Sequence, residues 1–239
     1  MGLAAQFVRD VQAVFPDPRN LSAPMFTLET LKSVEAQIVE KCDAVDGVKD
    51  GLLEDPRRCN VDVAGLAGLS DGQRAALRKI YAETSGKGGA IYPARPVGGE
   101  GEVDSWPAWI TGGSPYATPQ APSLGFALAT HFFKFLVFND PSWDYSGYDF
   151  ANARKDARLA ATFMNASNPD LDAFKAKGHK LIVWHGWSDA ALTALGSIEY
   201  YEEVRKRDDG VRDYFRLFLM PGVLHCSGGP GPDTVDWPV

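Results

Sequence analysis

The chain has 239 residues, 45% apolar and 23% charged, enough for one large domain or a domain carrying an insertion. That balance excludes a disordered or fibrous polypeptide. The formal charge is −7, from 24 Lys+Arg against 31 Asp+Glu. The one short basic run, Arg205-Lys206-Arg207, is followed at once by Asp208 and Asp209. Without clustered basic residues to displace counterions from phosphate, nucleic acid is not an expected partner.

The opening third reads as helical. Met1 to Asp10 lacks the basic region and the long apolar stretch of an export signal, and Gln6 stands where a myristoylation motif requires Ser or Thr. Leu28, Leu31, Val34, Ile38 and Val39 recur at helical spacing, with Thr27 as N-cap. This predicted helix runs into Cys42 and a loop rich in Gly and Asp as far as Cys59. A second helix starts at Ser70, where Ser70-Asp71-Gly72-Gln73 has capping-box spacing, and continues through Leu77, Ile80 and Tyr81.

From Ser85 to Ser123 Gly, Pro and Trp dominate, which predicts mostly loop with short strands. The apolar stretch Leu124 to Phe138 is interrupted by His131 and Lys134 and is too short to span a bilayer, so no membrane partner is expected. Leu181-Ile182-Val183-Trp184-His185 then reads as a buried parallel strand. A helix over 190–207 and a strand over 214–220 complete a βαβ unit of an α/β sheet.

Functional groups in such sheets emerge just beyond the strand C-termini. Asp189 and His225 each lie a few residues past a predicted strand. If the strands are neighbours, the carboxylate can accept the imidazole Nδ1–H and leave Nε2 to take a proton from a nucleophile. Acid before histidine is the chain order of α/β-hydrolases. A surface aspartate beside a structural histidine is the alternative. No serine completes the set: Ser114 is followed by Pro115, and Ser227 comes after the histidine. Ser188 would leave only Asp208, Asp209 or Asp213 as the acid, at the far end of the intervening helix.

Cys42-Asp43-Ala44-Val45-Asp46-Gly47-Val48-Lys49-Asp50-Gly51-Leu52 is a second constellation. Carboxylates separated by glycines can wrap a hard cation, with main-chain carbonyls filling the remaining positions, although the spacing is not that of an EF-hand. An ordinary solvated acidic turn has the same composition. Cys42 and Cys59 bracket the loop, and the third cysteine, Cys226, follows His225. Closing the first pair would stabilise by roughly 3 kcal/mol and belongs to an oxidising compartment. Three reduced thiols in a cytosolic protein are the other possibility.

The acidic run from Cys42 through Asp55-Pro56-Arg57-Arg58-Cys59 resembles the calcium loop of the tannase/feruloyl esterase family. Asn168-Pro169-Asp170-Leu171 with Phe174, His185-Gly186-Trp187-Ser188-Asp189 and His225-Cys226-Ser227-Gly228-Gly229-Pro230-Gly231-Pro232 match too, collinearly from about Thr27. The resemblance implies a partial α/β-hydrolase sheet with an inserted, loop-rich lid. Residues 1–40 would be a remnant of the hydrolase domain, 41–156 the lid with its calcium loop, and 157–239 the C-terminal part of the hydrolase domain. It implies a serine carboxylic ester hydrolase for aromatic acid esters, with Asp189 as triad acid and His225 as base.

Asp43, Asp46 and Asp50 would bind structural Ca²⁺ by side chains, and Val48 and Leu52 by carbonyls. Cys42 would pair with Cys59, and Cys226 with a cysteine outside the chain, next to the catalytic serine. Members of the family are longer and are secreted or periplasmic. The N-terminal half of the hydrolase domain, with serine, oxyanion donors and export signal, is therefore expected to be the chain's missing partner, and the chain alone is expected to be inactive. The alternative class is a non-catalytic, calcium-stabilised module that binds aromatic ligands.

Overall fold

Amphipathic periodicity and good caps make the helices of the first third. In the computed structural model, which describes residues 1–235, helix α1 spans Gly2–Val14 and buries Phe7, Val8, Val11 and Val14. Three polar residues on the same helix, Gln6, Arg9 and Asp10, are equally buried. Helix α2 (Leu28–Cys42) is capped as its sequence predicts: the Thr30 N–H donates to Thr27 Oγ1 at 3.1 Å. Its Leu31, Val34 and Ile38 are fully buried. Helix α3 (Asp71–Tyr81) opens on the complete capping box, with Gln73 N–H on Ser70 Oγ at 3.2 Å and Ser70 N–H on Gln73 Oε1 at 2.9 Å.

The Gly- and Pro-rich stretch contributes a short antiparallel hairpin, β1 (Thr84–Gly86) with β2 (Gly89–Tyr92), and then a long loop. This loop is anchored by Trp106, which is 1% exposed. Helix α4 (Leu124–His131), capped by Ser123, continues into a wider helical turn over Phe132–Val137 and packs on α1. Three short helices follow, α5 (Ala153–Asp156), α6 (Arg158–Met164) and α7 (Asp172–Ala176). One apolar core runs from Val11 and Val14 of α1 through Leu31, Leu77, Trp106 and Phe126 to Ala190. The core is thus continuous across positions 40 and 156.

The last third is the expected βαβ unit. Strands β3 (Leu181–Gly186) and β4 (Phe215–Met220) are parallel neighbours, in register from Leu181 opposite Phe215 to Gly186 opposite Met220. Helix α8 (Ala194–Arg207) connects them. It starts at Ala194 rather than Ala190 because Asp189 Oδ1 accepts the N–H groups of Ala191 and Leu192, which holds that backbone in a loop until Thr193 caps the helix. Val204, Val211, Tyr214 and Phe215 form the core beneath this unit. No helix among the described residues is long and apolar enough to cross a membrane.

Candidate active site

The two loops that leave β3 and β4 at their C-terminal ends pack directly on each other. The N–H of Trp187 donates to Met220 O at 2.9 Å and that of Ser188 to Val223 O at 3.1 Å. A Cβ on Gly186 would sit 2.1 Å from Val223 O, so only glycine permits this approach. Val223 and Leu224 are buried and anchor the second loop from below. Asp189 and His225 thereby meet, with His225 Nδ1 3.0 Å from Asp189 Oδ2. The aspartate side chain is 5% exposed and the histidine 31%.

Burial pushes the Asp189 carboxyl up, but hydrogen bonds from His185, His225 and the Leu192 N–H outweigh it and hold the group below the ordinary aspartate value. It is an ionised acceptor with every lone pair directed at a donor. The edge of Trp109 packs against the His225 ring, centroids 4.9 Å apart. A second imidazole, His185 Nε2, approaches Asp189 Oδ2 at 3.2 Å. In the sequence it ends an apolar run and opens the motif His185-Gly186-Trp187-Ser188-Asp189, with no role of its own assigned.

A buried polar brace supports this corner from α1. Arg95 donates to the Ala190 carbonyl, to Gln6 Oε1 at 3.0 Å and to Asp10 Oδ2 at 3.2 Å. Arg9 fastens the other Asp10 oxygen at 2.7 Å, and Thr193 Oγ1 donates to Ala94 O at 2.7 Å. The only hint of it in the sequence is the set of polar residues Gln6, Arg9 and Asp10 on an otherwise apolar helix.

None of the sequence's candidate serines joins the pair. Among the described residues no hydroxyl is hydrogen-bonded to His225 Nε2. Ser188 is 8% exposed and lies against the backbone of Gly98 and Gly99. Ser114 caps its own turn through the Tyr116 N–H, and Ser227 is exposed. Asp208 pairs with Lys175 at 2.6 Å, away from the site.

Cys42 and Cys59 form a disulfide, which closes the acidic loop, while Cys226 is free and exposed. Inside the loop each carboxylate organises backbone. Asp43 Oδ1 accepts from Asp50 and Gly51 N–H at 3.1 and 2.8 Å, Asp46 Oδ1 from Val48 N–H at 2.9 Å, and Asp50 Oδ1 from Leu52 N–H at 3.0 Å. Among the described residues no group of three or more His, Cys, Asp or Glu side chains is arranged to hold a metal ion, so the three carboxylates do not converge as placed. The donor set itself is all hard oxygen, and none of the three is in a salt bridge with Lys or Arg among the described residues. The loop also touches the corner where Asp189 and His225 meet: Leu52 packs on Gly222, just before His225, and Arg57 lies over the Trp187 ring at 5.2 Å.

With this geometry in hand, the comparisons with known proteins are specific. A family model described as "Tannase and feruloyl esterase" matches residues 6–237. The chain belongs to the tannase and feruloyl esterase family. The match begins within α1, which therefore belongs to the shared architecture. A probable feruloyl esterase B-1 of Aspergillus oryzae is 27% identical over 90% of this chain and 40% of its own length. The mono(2-hydroxyethyl) terephthalate hydrolase of Piscinibacter sakaiensis is 30% identical over 88% of this chain and 42% of its own. The crystal structure of feruloyl esterase B from Aspergillus oryzae superposes with a TM-score of 0.75 and 26% identity, covering 97% of this chain and 46% of that one. A tannin acyl hydrolase from Aspergillus niger, 18% identical, shares the fold with a TM-score of 0.62. The fold is α/β-hydrolase-like, and the family's activity is ester hydrolysis. The chain spans about two fifths of the length of the curated relatives it matches.

Proposed function

We propose that this chain supplies the acid and the base of a Ser-His-Asp carboxylic ester hydrolase acting on aromatic (phenolic) acid esters, with the nucleophilic serine on polypeptide outside these residues. The observation that carries this reading is the 3.0 Å contact between Asp189 Oδ2 and His225 Nδ1 at the ends of two adjacent parallel strands. The buried, ionised carboxylate keeps the Nδ1 proton in place, so the Nε2 lone pair faces outward. As a serine Oγ attacks the ester carbonyl, Nε2 takes its proton and then delivers it to the departing alcohol. Water repeats the sequence on the acyl-enzyme, and Asp189 stabilises the imidazolium each time.

Residues 41–156 are read as the lid over the acyl group. Trp109, against the His225 ring, supports an aromatic-lined wall on that side. The reading is tested by assaying the purified chain on methyl ferulate and labelling it with a fluorophosphonate. No turnover and no adduct are expected; ordinary enzymatic rates, or an adduct at Ser188, would overturn the external serine.

A structural Ca²⁺ is part of the proposal, with Asp43, Asp46 and Asp50 supplying carboxylates and Val48 and Leu52 carbonyl oxygens. Its hard-oxygen donors and the resemblance of the loop support it; the separated carboxylates of the present arrangement are what an ion would have to draw together. Added Ca²⁺ should raise the unfolding temperature with ligand excess, and an unchanged melting curve in EDTA against Ca²⁺ removes the ion from the account. The Cys42–Cys59 disulfide supports a secreted or periplasmic setting. The exposed Cys226 is read as bonding to a cysteine outside the chain.

One observation favours a second reading, an aromatic-ligand binding module without catalysis. A groove of about 1020 Å³, lined by Leu3, Phe7, Tyr92, Leu128, Phe135 and Leu192 among others, lies apart from His225. Equilibrium dialysis against phenolic esters separates the two: retained affinity in the His225→Ala variant at this groove supports the module.

A further inference from the structure

Asp189 Oδ2 accepts two imidazole N–H groups, and only one belongs to the acid–base pair. The other carboxylate oxygen is taken by the N–H groups of Ala191 and Leu192, both at 2.8 Å. The second imidazole, His185, is 13% exposed and is the penultimate residue of strand β3. Its Nε2 also lies 3.1 Å from the Leu192 carbonyl, which can only accept. Nε2 therefore carries the ring proton, shared between Leu192 O and Asp189 Oδ2. That leaves Nδ1 as an acceptor, and the Ser197 hydroxyl stands 2.7 Å from it, in the first turns of α8. The ring protons in the chain Ser197–His185–Asp189–His225 are thus assigned by two acceptor-only groups, the Leu192 carbonyl at His185 Nε2 and the Asp189 carboxylate between the two imidazoles.

We propose that His185, held by Ser197, is a positioning residue: it pins Asp189 Oδ2 so that His225 keeps its proton on Nδ1 and its lone pair on Nε2. The inference rests on the reading of Asp189 and His225 as acid and base. With Oδ1 fixed by two backbone donors, Oδ2 is the end of the carboxylate left to swing, and His185 is the side chain placed to stop it. The tautomer of an imidazole follows the hydrogen bond made by its other nitrogen, so a loosened carboxylate loosens the choice at His225.

The test uses the whole 239-residue chain, ¹⁵N-labelled, with two-bond imidazole ¹H–¹⁵N correlation spectra at alkaline pH. In the wild type, His225 is expected almost entirely as the Nδ1–H form and His185 as the Nε2–H form. His185→Phe should move about half of the His225 population to Nε2–H, and Ser197→Ala should move less in the same direction. His185→Gln should restore the wild-type spectrum, because its amide offers an N–H to Asp189 and an oxygen to Ser197. A merely space-filling role predicts the opposite ranking, with Phe closer to wild type than Gln. His185 found as the Nδ1–H form, or a His225 population unchanged in both His185→Phe and Ser197→Ala, overturns the proposal while the acid–base pair stands. Should His185→Phe fail to fold, an unchanged population in Ser197→Ala decides against it alone. A wild-type His225 with no Nδ1–H preference, or one indifferent to Asp189→Asn, sinks the acid–base reading instead.

Discussion

Two carboxylates lie buried on either side of one loop contact and are shifted in opposite directions from their ordinary values. Burial pushes both upward. At Asp189 it is outweighed by two imidazoles and the Leu192 N–H, and the group settles below the ordinary aspartate value. At Glu100, fully buried, the Gly98 N–H and the Tyr81 hydroxyl donate at 2.8 Å to Oε1 and its own backbone N–H helps least, while Oε2 has no partner among the described residues. Burial, reinforced by the nearby charge of Glu35, drives Glu100 to about 7. The two sites touch through the glycine loop, since a Cβ on Gly99 would lie 2.9 Å from the Ser188 Cβ. Depth does not decide whether a buried acid is a charge or a neutral group; the number of donors aimed at it does.

The largest expected effect comes from removing the well-served acid. Asp189→Ala strands two imidazoles and two backbone N–H groups, and at neutral pH should cost about 4 kcal/mol in urea unfolding. Because the folded-state value of Asp189 is depressed, its contribution is fully present above the ordinary aspartate value and lost as the pH falls through the depressed one. The gap between wild type and variant should therefore narrow in strong acid. A penalty independent of pH down to there would mean that Asp189 is not held as an anion.

Glu100→Gln probes the poorly served acid and has the opposite sign. Its folded-state value is raised, so between the ordinary glutamate value and about 7 the folded chain holds a proton that the unfolded chain releases, and stability falls across that window. Gln keeps an acceptor for Tyr81 and Gly98 and does not titrate. The variant should match wild type near about pH 4 and exceed it by on the order of 3 kcal/mol near about pH 8. Gly99→Ala acts on the contact between the two sites. With φ at +77° and no room beside Ser188, it should cost about 2 kcal/mol at either pH. A value near zero would show the two sites to be mechanically separate.

The meeting of Asp189 and His225 was legible because strand and loop coincide: an apolar β run, then Asp189 or His225 within a few residues. The capping box at Ser70 and the disulfide around the acidic loop are similarly local or carried by a specific motif. What escaped depends on tertiary register. His185 sits inside the β run, and nothing in the order of residues says that its ring turns back to Asp189 across a loop held open by that same carboxylate. Glu100 stands in a stretch of glycines that reads as exposed loop, yet Glu35 of α2 takes the Gly99 and Gly101 N–H groups and draws the segment into the core. The Arg95 brace joins residues 85 and 89 positions apart, a pairing that no periodicity announces. In the acidic loop Asp46 and Asp50 each accept the backbone N–H two residues on, a local turn, whereas Asp43 reaches across the loop to the Asp50 and Gly51 N–H groups, a closure that spacing alone does not announce.

Tyr81→Phe gives the smallest effect and the finest resolution of the comparison. The substitution keeps the ring, which packs against Trp106 with centroids 5.4 Å apart, and removes only the hydroxyl that donates to Glu100 Oε1. In acid, where Glu100 is protonated in both folded and unfolded chains, the loss is one hydrogen bond, about 1 kcal/mol. Above neutrality the folded chain carries the anion, for which that donor matters more, so the penalty should grow with pH. Losing the donor also raises Glu100 further and widens the window over which stability declines. Urea midpoints for wild type and Tyr81→Phe across that range, repeated in the Glu100→Gln background, separate the two parts. In that background the pH-dependent portion should vanish and the constant portion remain. Persistence of the pH dependence without Glu100 would move the titrating group to Glu35, which shares the loop and is itself raised by burial.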